Sequence, residues 1–144
     1  MISGLFQSKN QKLVKKWKAE HLKMVELAHK VLGEYAKGEH DRAKKYLKDF
    51  SGVAMDHITS EDVEFFKLLH DPAHNDHQTE KMVEEFKNSF GDTKKTLMQF
   101  LAKYTLPETP LDNEFFETFS AIVKILGDRI DFEESNLYFR MSLS

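Results

Sequence analysis

The sequence predicts an all-α protein, built as an antiparallel up-down-up-down bundle of four helices. Residues that break helices interrupt the chain at three places: around Gly38, around Pro72, and between Pro107 and Pro110. Between these breaks apolar residues recur at steps of three and four, which places them on one face of a helix. No stretch alternates apolar and polar residues for long enough to indicate a strand. Four amphipathic segments of roughly 25–30 residues with short connections favour one shared core.

The first two segments meet at Gly38, where a glycine commonly ends a helix. Residues 1–11 carry little periodic pattern, and we expect them to form an N-terminal arm. The apolar face of the first segment consists of Leu13, Trp17, His21, Met24, Ala28, Val31 and Tyr35. The apolar face of the second segment consists of Ala43, Tyr46, Phe50, Val53, Ala54, His57, Glu61 and Leu68.

The third and fourth segments show the same spacing. Gly91 is a weak point within the third, and Thr109 with Pro110 is a typical cap and first residue for the fourth. The apolar face of the third segment consists of Thr79, Met82, Val83, Phe86, Phe90, Leu97, Leu101 and Tyr104. That of the fourth consists of Phe115, Phe119, Ile122, Leu126, Ile130, Glu133, Leu137 and Met141.

Composition excludes several classes of function. The 144 residues suit one domain, residues 1–144, and the absence of cysteine excludes disulfides, Cys-based zinc sites, iron–sulfur clusters and thiol chemistry. The formal net charge of −3, with lysines spread among acids, argues against a nucleic-acid partner. No apolar run approaches the ~20 residues of a membrane span, and the first residues lack an export signal. We therefore expect a soluble, cytoplasmic protein.

Polar residues inside the apolar faces are the candidates for function. His21 lies on the first face, Glu133 lies on the fourth, and His57 and Glu61 are four residues apart on the second, where their side chains are neighbours. Burying a carboxylate without a partner costs several kcal/mol. Three arrangements compensate that cost: a bound metal, ion pairing with Arg129 and no metal, or faces wide enough to leave these residues in water.

Three stretches contain these residues: Trp17-Lys-Ala-Glu-His21, His57-Ile-Thr-Ser-Glu61 and Arg129-Ile-Asp-Phe-Glu133-Glu134-Ser-Asn-Leu137-Tyr138. Together they resemble the hemerythrin-like, or HHE cation-binding, domain family over roughly residues 12–141. The resemblance implies a four-helix bundle that holds a di-iron centre. It also implies that the metal ligands are His21, His57, Glu61 as a bridging carboxylate, His77 and Glu133, with Glu80 and Glu134 as substitutes.

The chain departs from the family's pattern at two places. Arg129 stands where the family has a histidine on the fourth helix, and arginine cannot bind a metal. His77 falls on the opposite side of the third helix by regular periodicity, and four residues later stands Lys81 instead of a second histidine. Five candidate ligands are few for two irons, which leaves a di-iron site, a single-metal site or no metal as alternatives.

Two hypotheses of different classes follow. The first is a hemerythrin-like, non-haem iron protein that binds or senses O₂, nitric oxide or peroxide and is not an enzyme. The second is a metal-free bundle in which the same residues form a buried polar network and a surface binds a protein partner. A di-iron oxidase is a weaker third hypothesis, because the chain lacks the Glu-x-x-His pair on two helices that such sites use.

Overall fold

The computed structural model describes residues 8–70 and 76–142. The elements in chain order are α1 (Lys9–Ala36), α2 (His40–Leu69), α3 (His77–Phe90), α4 (Thr93–Tyr104), α5 (Asn113–Phe132), a π-helical turn (Glu133–Leu137) and α6 (Tyr138–Ser142). Within this part of the chain there is no strand, and the predicted all-α four-helix bundle is confirmed. The third position of the bundle is shared by α3 and α4, and the fourth by α5, the π turn and α6.

Contacts between side chains give the direction of each helix. In every neighbouring pair, the partner's residue number falls as the residue number rises along the first helix, so consecutive helices run antiparallel as predicted. The contacts are Trp17–Ser60 and Tyr35–His40 between α1 and α2, Phe65–Phe86 and Asp62–Lys94 between α2 and α3–α4, and Phe100–Phe119 and Tyr104–Phe115 between α4 and α5.

The first helix begins earlier than its apolar pattern indicated. The Ser8 hydroxyl accepts a hydrogen bond from the backbone N–H of Gln11, and the Gln11 side chain accepts one from the backbone N–H of Ser8. This reciprocal pair satisfies two backbone donors that a helix start leaves free. Residues 9–11 of the expected arm are therefore helical, and residues 1–7 lie outside the described part of the chain.

Two breaks shape the third and fourth positions. At Gly91 the backbone N–H bonds to the Lys87 carbonyl oxygen, and a Cβ there would lie 2.4 Å from that oxygen, which only glycine avoids. The fourth position begins at Asn113, because the Asp112 carboxylate accepts the Phe115 N–H. The expectation that Thr109 and Pro110 start this helix is wrong: a helix forms where the side-chain acceptor caps it.

The core is divided along the bundle axis into two apolar clusters. One cluster extends from Met24 and Ile58 to Leu126, and the other contains Trp17, Phe65 and further residues up to Met141. A layer of buried polar side chains lies between the two clusters, and it consists of His21, His57, Glu61, Arg129 and Glu133. Among the described residues, no helix is both long and apolar enough to span a membrane.

Candidate metal centre

Four of the five predicted ligands meet in the polar layer. His21 from α1, His57 and Glu61 from α2, and Glu133 from the π turn each offer one ligand atom, and these atoms all lie within 4.8 Å of one another. All four side chains are buried, and Glu61 is fully enclosed. We call this group the His/Glu cluster. Three helical segments thus converge on one point, as their apolar faces required.

The two histidines of the His/Glu cluster are fixed from outside by carboxylates. His21 Nδ1 lies 2.7 Å from Glu134 Oε2, and His57 Nδ1 lies 2.8 Å from Glu20 Oε1. A carboxylate at Nδ1 holds the ring hydrogen there, so Nε2 of the neutral ring carries the lone pair. Both Nε2 atoms point into the cluster and lie 2.9 Å apart. Carboxylates that orient imidazoles in this way are typical of metal-binding histidines.

The two carboxylates of the His/Glu cluster are held from several directions. Glu61 Oε1 lies 3.1 Å from His57 Nε2, and Glu61 Oε2 accepts a short hydrogen bond from the Tyr138 hydroxyl. Glu133 Oε1 lies 3.3 Å from His21 Nε2. The Tyr138 oxygen also lies 3.1 Å from His21 Nε2. Each carboxylate therefore presents an oxygen to an imidazole inside the cluster.

Arg129 is the permanent cation of this layer. Its Nε donates to Glu133 Oε2 at 3.1 Å, and its Nη2 donates to Glu61 Oε1 at 3.4 Å. Its guanidinium carbon lies 4.9 Å from the centre of the Phe86 ring. The guanidinium of Arg129 is planar and always charged, so its bonds compensate part of the cost of burying the Glu61 and Glu133 carboxylates.

Burial raises the pKa of both carboxylates. The pKa of Glu133 is about 7 against an ordinary 4.5, because burial and the nearby charge of Glu61 outweigh the hydrogen bond from His21 and the charge of Arg129. Burial also raises the pKa of Glu61, opposed by its hydrogen bonds and by Arg129. Burial and the two carboxylates raise the pKa of the Tyr138 hydroxyl, which therefore stays protonated as a donor. Protons are thus retained in this layer near neutral pH.

The pKa values of the two histidines are shifted in opposite directions. Burial lowers the pKa of His57, and the neighbouring His21 lowers it further against the pull of Glu20. Burial also disfavours the charged form of His21, but hydrogen bonds to Glu133 and Glu134 and the charge of Glu61 raise the pKa of His21 overall. The proton between the two Nε2 atoms therefore resides on His21, and His57 Nε2 accepts the hydrogen bond from it.

The remaining predicted ligands lie elsewhere. The structure does not bring His77 to the His/Glu cluster: it is the first residue of α3 and is exposed, while the buried residue of that turn is Thr79. The regular helical phase predicted this position. Glu80 is exposed as well. Glu134 contacts the outer nitrogen of His21 and is more than a third exposed, so it supports a histidine rather than joining the cluster.

Sequence reasoning assigned no role to Glu20 or Tyr138, although both lie inside the stretches that carry the resemblance. Glu20 immediately precedes His21 but orients His57 across the helix pair. A half-exposed residue beside an apolar face gives no periodic signal. Tyr138 follows Glu133 by five residues, a spacing that a regular helix would place on another face. The π turn changes that spacing, and sequence periodicity does not reveal it.

The donor atoms present suit a single metal ion. Two neutral imidazole nitrogens and two carboxylates form the mixed set that iron, manganese or zinc accepts. A cavity of about 10 Å³ lies between the four side chains, which is about the space of one small sphere. Among the described residues this layer holds two histidines and two carboxylates as possible ligands, and Arg129 occupies the space beside Glu61 and Glu133.

A four-helix bundle with a buried group of imidazoles and carboxylates defines a class of cation-binding helical proteins. The model of one such family, the hemerythrin HHE cation binding domain, matches residues 12–140 of this chain. The chain belongs to the hemerythrin HHE cation-binding family, as its sequence resemblance indicated. Comparisons with curated proteins and with solved structures find no further match.

Proposed function

We propose that this protein holds one non-haem iron ion through His21, His57, Glu61 and Glu133, and that it binds or senses O₂ or a related small molecule there. The observation that supports the proposal is the pair of Nε2 atoms directed inward beside two carboxylates, with both Nδ1 atoms held by outer carboxylates. Histidines that serve only as core residues have no need of two ring nitrogens directed at one point between two carboxylates.

Iron is the metal that best matches both the donor set and the family. Two histidines with carboxylates are a ligand set that non-haem iron(II) uses with positions left open. Bound iron would supply the affinity for O₂, nitric oxide or peroxide. The chain's own residues provide the surroundings: the apolar clusters on both sides exclude water, and Tyr138 and Arg129 hold the carboxylates in place.

Metal content measured after purification under iron-replete, low-oxygen conditions tests this proposal. We expect about one iron per chain, the loading that one set of four donors supports. His57→Ala should lower that content strongly, whereas His29→Ala, an exposed histidine on the same bundle, should leave it unchanged. Absence of iron, manganese and zinc from the wild-type protein would refute the metal site. Equal losses in both variants would place the metal elsewhere.

A second candidate function is a metal-free bundle that serves as a protein-interaction module. It is favoured by the hydrogen bonding of the His/Glu cluster, which is complete without an ion because Arg129 bonds to both Glu61 and Glu133. Thermal unfolding with and without added Fe²⁺ or Zn²⁺ separates the two candidates. A metal-binding site raises the melting temperature with metal concentration, and a metal-free module does not respond.

A further inference from the structure

A second cavity, of about 250 Å³, lies on the far side of Arg129 from the His/Glu cluster. It opens between α2 and the break that separates α3 from α4, and Gly91 of that break forms part of its wall. We call it the α3–α4 cavity. Its volume is below the roughly 300–1,000 Å³ of sites for drug-sized ligands, so its occupant is small.

Aromatic rings form the inner surface of the α3–α4 cavity. Phe65 from α2 meets Phe86 edge to face with ring centres 5.4 Å apart, and Phe90 lies 5.7 Å from Phe86. All three rings line the cavity. Packed rings of this kind accept another flat apolar group by stacking or edge contact. The inner part of the cavity therefore suits a planar or compact apolar body.

Positive charges stand around those rings. Lys87 and Lys94 line the cavity from α3 and α4, and Arg129 lines it from α5. Arg129 uses Nε and Nη2 for its bonds to Glu133 and Glu61, and no hydrogen bond to a described residue engages its Nη1. A guanidinium edge with free N–H groups suits a carboxylate, whose planar shape and two oxygens match the fork of donors.

Asp62 is the acidic residue that lines the cavity, and it pairs with Lys94 at 3.0 Å. The Asp62 side chain is 46% exposed, and an exposed pair of this kind contributes at most about 1 kcal/mol. Lys94 is thus available to another anion at little cost. Arg129 already pairs with the two carboxylates of the His/Glu cluster, so Lys87 and Lys94 against the exposed Asp62 leave the rim of the cavity positive.

We propose that the α3–α4 cavity binds a small organic carboxylate with a flat apolar body, whose charged end meets Lys87, Lys94 and Arg129 while its body rests on Phe65, Phe86 and Phe90. This cavity lies beside the His/Glu cluster, and binding there does not require a bound metal. Because Arg129 also donates to Glu61 and Glu133, an occupant of the cavity shares a guanidinium with the His/Glu cluster.

Titration of the full-length, chelator-treated protein with benzoate tests the proposal. Calorimetry measures the affinity, and backbone amide shifts in NMR locate the binding site. Benzyl alcohol, which has the ring without the charge, and acetate, which has the charge without the ring, are the matched probes. We expect benzoate to bind at least tenfold more tightly than benzyl alcohol, because a charged hydrogen bond is worth about that factor. It should exceed acetate by a similar factor, because acetate has no ring to bury against the aromatic side chains. The amide shifts should concentrate around residues 86–94.

Surface variants separate a charged site from a merely apolar one. Lys87→Gln with Lys94→Gln should weaken benzoate binding about tenfold, and Asp62→Asn should strengthen it about twofold to threefold. Lys95→Gln, an exposed lysine that does not line the cavity, should change nothing. Equal affinity for benzyl alcohol, equal effects of the Lys95 and paired variants, or no benzoate binding up to about 10 mM would each overturn the proposal.

Discussion

His21 and His57 direct their Nε2 atoms at each other across 2.9 Å, although they lie 36 residues apart on neighbouring helices. Two ring nitrogens at this distance cannot both carry a hydrogen, and two bare lone pairs would repel each other. Since both Nδ1 atoms donate outward to carboxylates, one ring must hold a second proton on Nε2. The metal-free protein thus keeps a proton at the place where the lone pairs would meet a cation.

Metal binding should therefore release protons. The raised pKa of His21 means that the folded chain retains this proton above the ordinary value of 6.5, and the pKa of Glu133, at about 7, leaves part of that carboxyl protonated at neutral pH. A cation displaces both. Calorimetric titration with Zn²⁺ at pH 7 in several buffers tests this. The buffer takes up the released protons, so binding should become more exothermic as the ionisation enthalpy of the buffer rises. The same heat in every buffer would contradict the proton-filled site.

Removal of an outer carboxylate should weaken metal binding without removing a ligand. Glu20→Gln and Glu134→Gln each exchange the carboxylate that orients one imidazole for a neutral amide, and loss of such a carboxylate typically costs about 10–100-fold in metal affinity. Glu26→Gln provides the control, because Glu26 is exposed and pairs only with lysines on the same helix. The test is competition with a chromogenic chelator. If all three variants bind alike, the outer carboxylates have no such role.

Stability of the metal-free protein should depend on the proton at Glu133. Below pH 4.5 the Glu133 carboxyl is protonated in both the folded and the unfolded chain, so its ionisation does not lower the free energy of unfolding. As the pH rises from 4.5 to about 7, the unfolded chain loses the proton first, so the free energy of unfolding falls by up to about 3 kcal/mol. Glu61, whose pKa is also raised, changes the free energy of unfolding in the same direction. His57, whose pKa is lowered, changes it in the opposite direction below pH 6.5.

Glu133→Gln isolates this contribution, because glutamine does not titrate. Urea unfolding of both proteins at pH 5 and pH 8 measures it. The variant should gain stability relative to the wild-type protein as the pH rises between these values, and a constant difference would show that Glu133 ionises normally in the folded chain.

Arg129→Leu should destabilise the metal-free protein by about 3–5 kcal/mol, because it leaves two buried carboxylates without their cation. The loss should be larger at pH 8 than at pH 5, where Glu61 and Glu133 take up protons. Arg42→Leu removes a largely exposed arginine that lies 3.8 Å from Glu34, and because Lys37 also pairs with Glu34 the loss should be less than about 1 kcal/mol. A comparable effect of the two substitutions in denaturant unfolding would mean that Arg129 is solvated.

The bundle and the four residues of the His/Glu cluster were predictable because both depend on one regular property, the helical spacing of buried side chains. His21, His57, Glu61 and Glu133 lie on apolar faces, and faces that share a core bring their polar members together. The ion pair expected for Arg129 also followed from spacing, since Arg129 precedes Glu133 by about one helical turn.

The rest depends on contacts that have no period. Glu20 is partly exposed, so its residue type alone does not show that it contacts a histidine on another helix. The start at Asn113 depends on one side-chain acceptor, and the break at Gly91 on the close approach of one carbonyl. The placement of Tyr138 in the polar layer depends on a turn of irregular pitch. Hydrogen bonds and local pitch, rather than hydrophobic pattern, decided these features.

The π turn has a consequence for how this layer tolerates change in chain length. In a regular helix, residues five apart point about 140° away from each other, so Glu133 and Tyr138 would not share a side. The turn of Glu133–Leu137, closed by the Tyr138 N–H on the Glu133 carbonyl oxygen, absorbs one residue and restores the alignment. Deletion of a single residue there would leave a regular α-helix in which the tyrosine follows Glu133 by four residues, about 40° apart, so it would still face Glu61. Conversion of the turn to regular helix at unchanged length would instead rotate everything downstream by about 100° and remove Tyr138 from Glu61. The fourth position of the bundle thus carries one residue more than a regular helix would need, and the wider π turn keeps the residues on either side of it in phase.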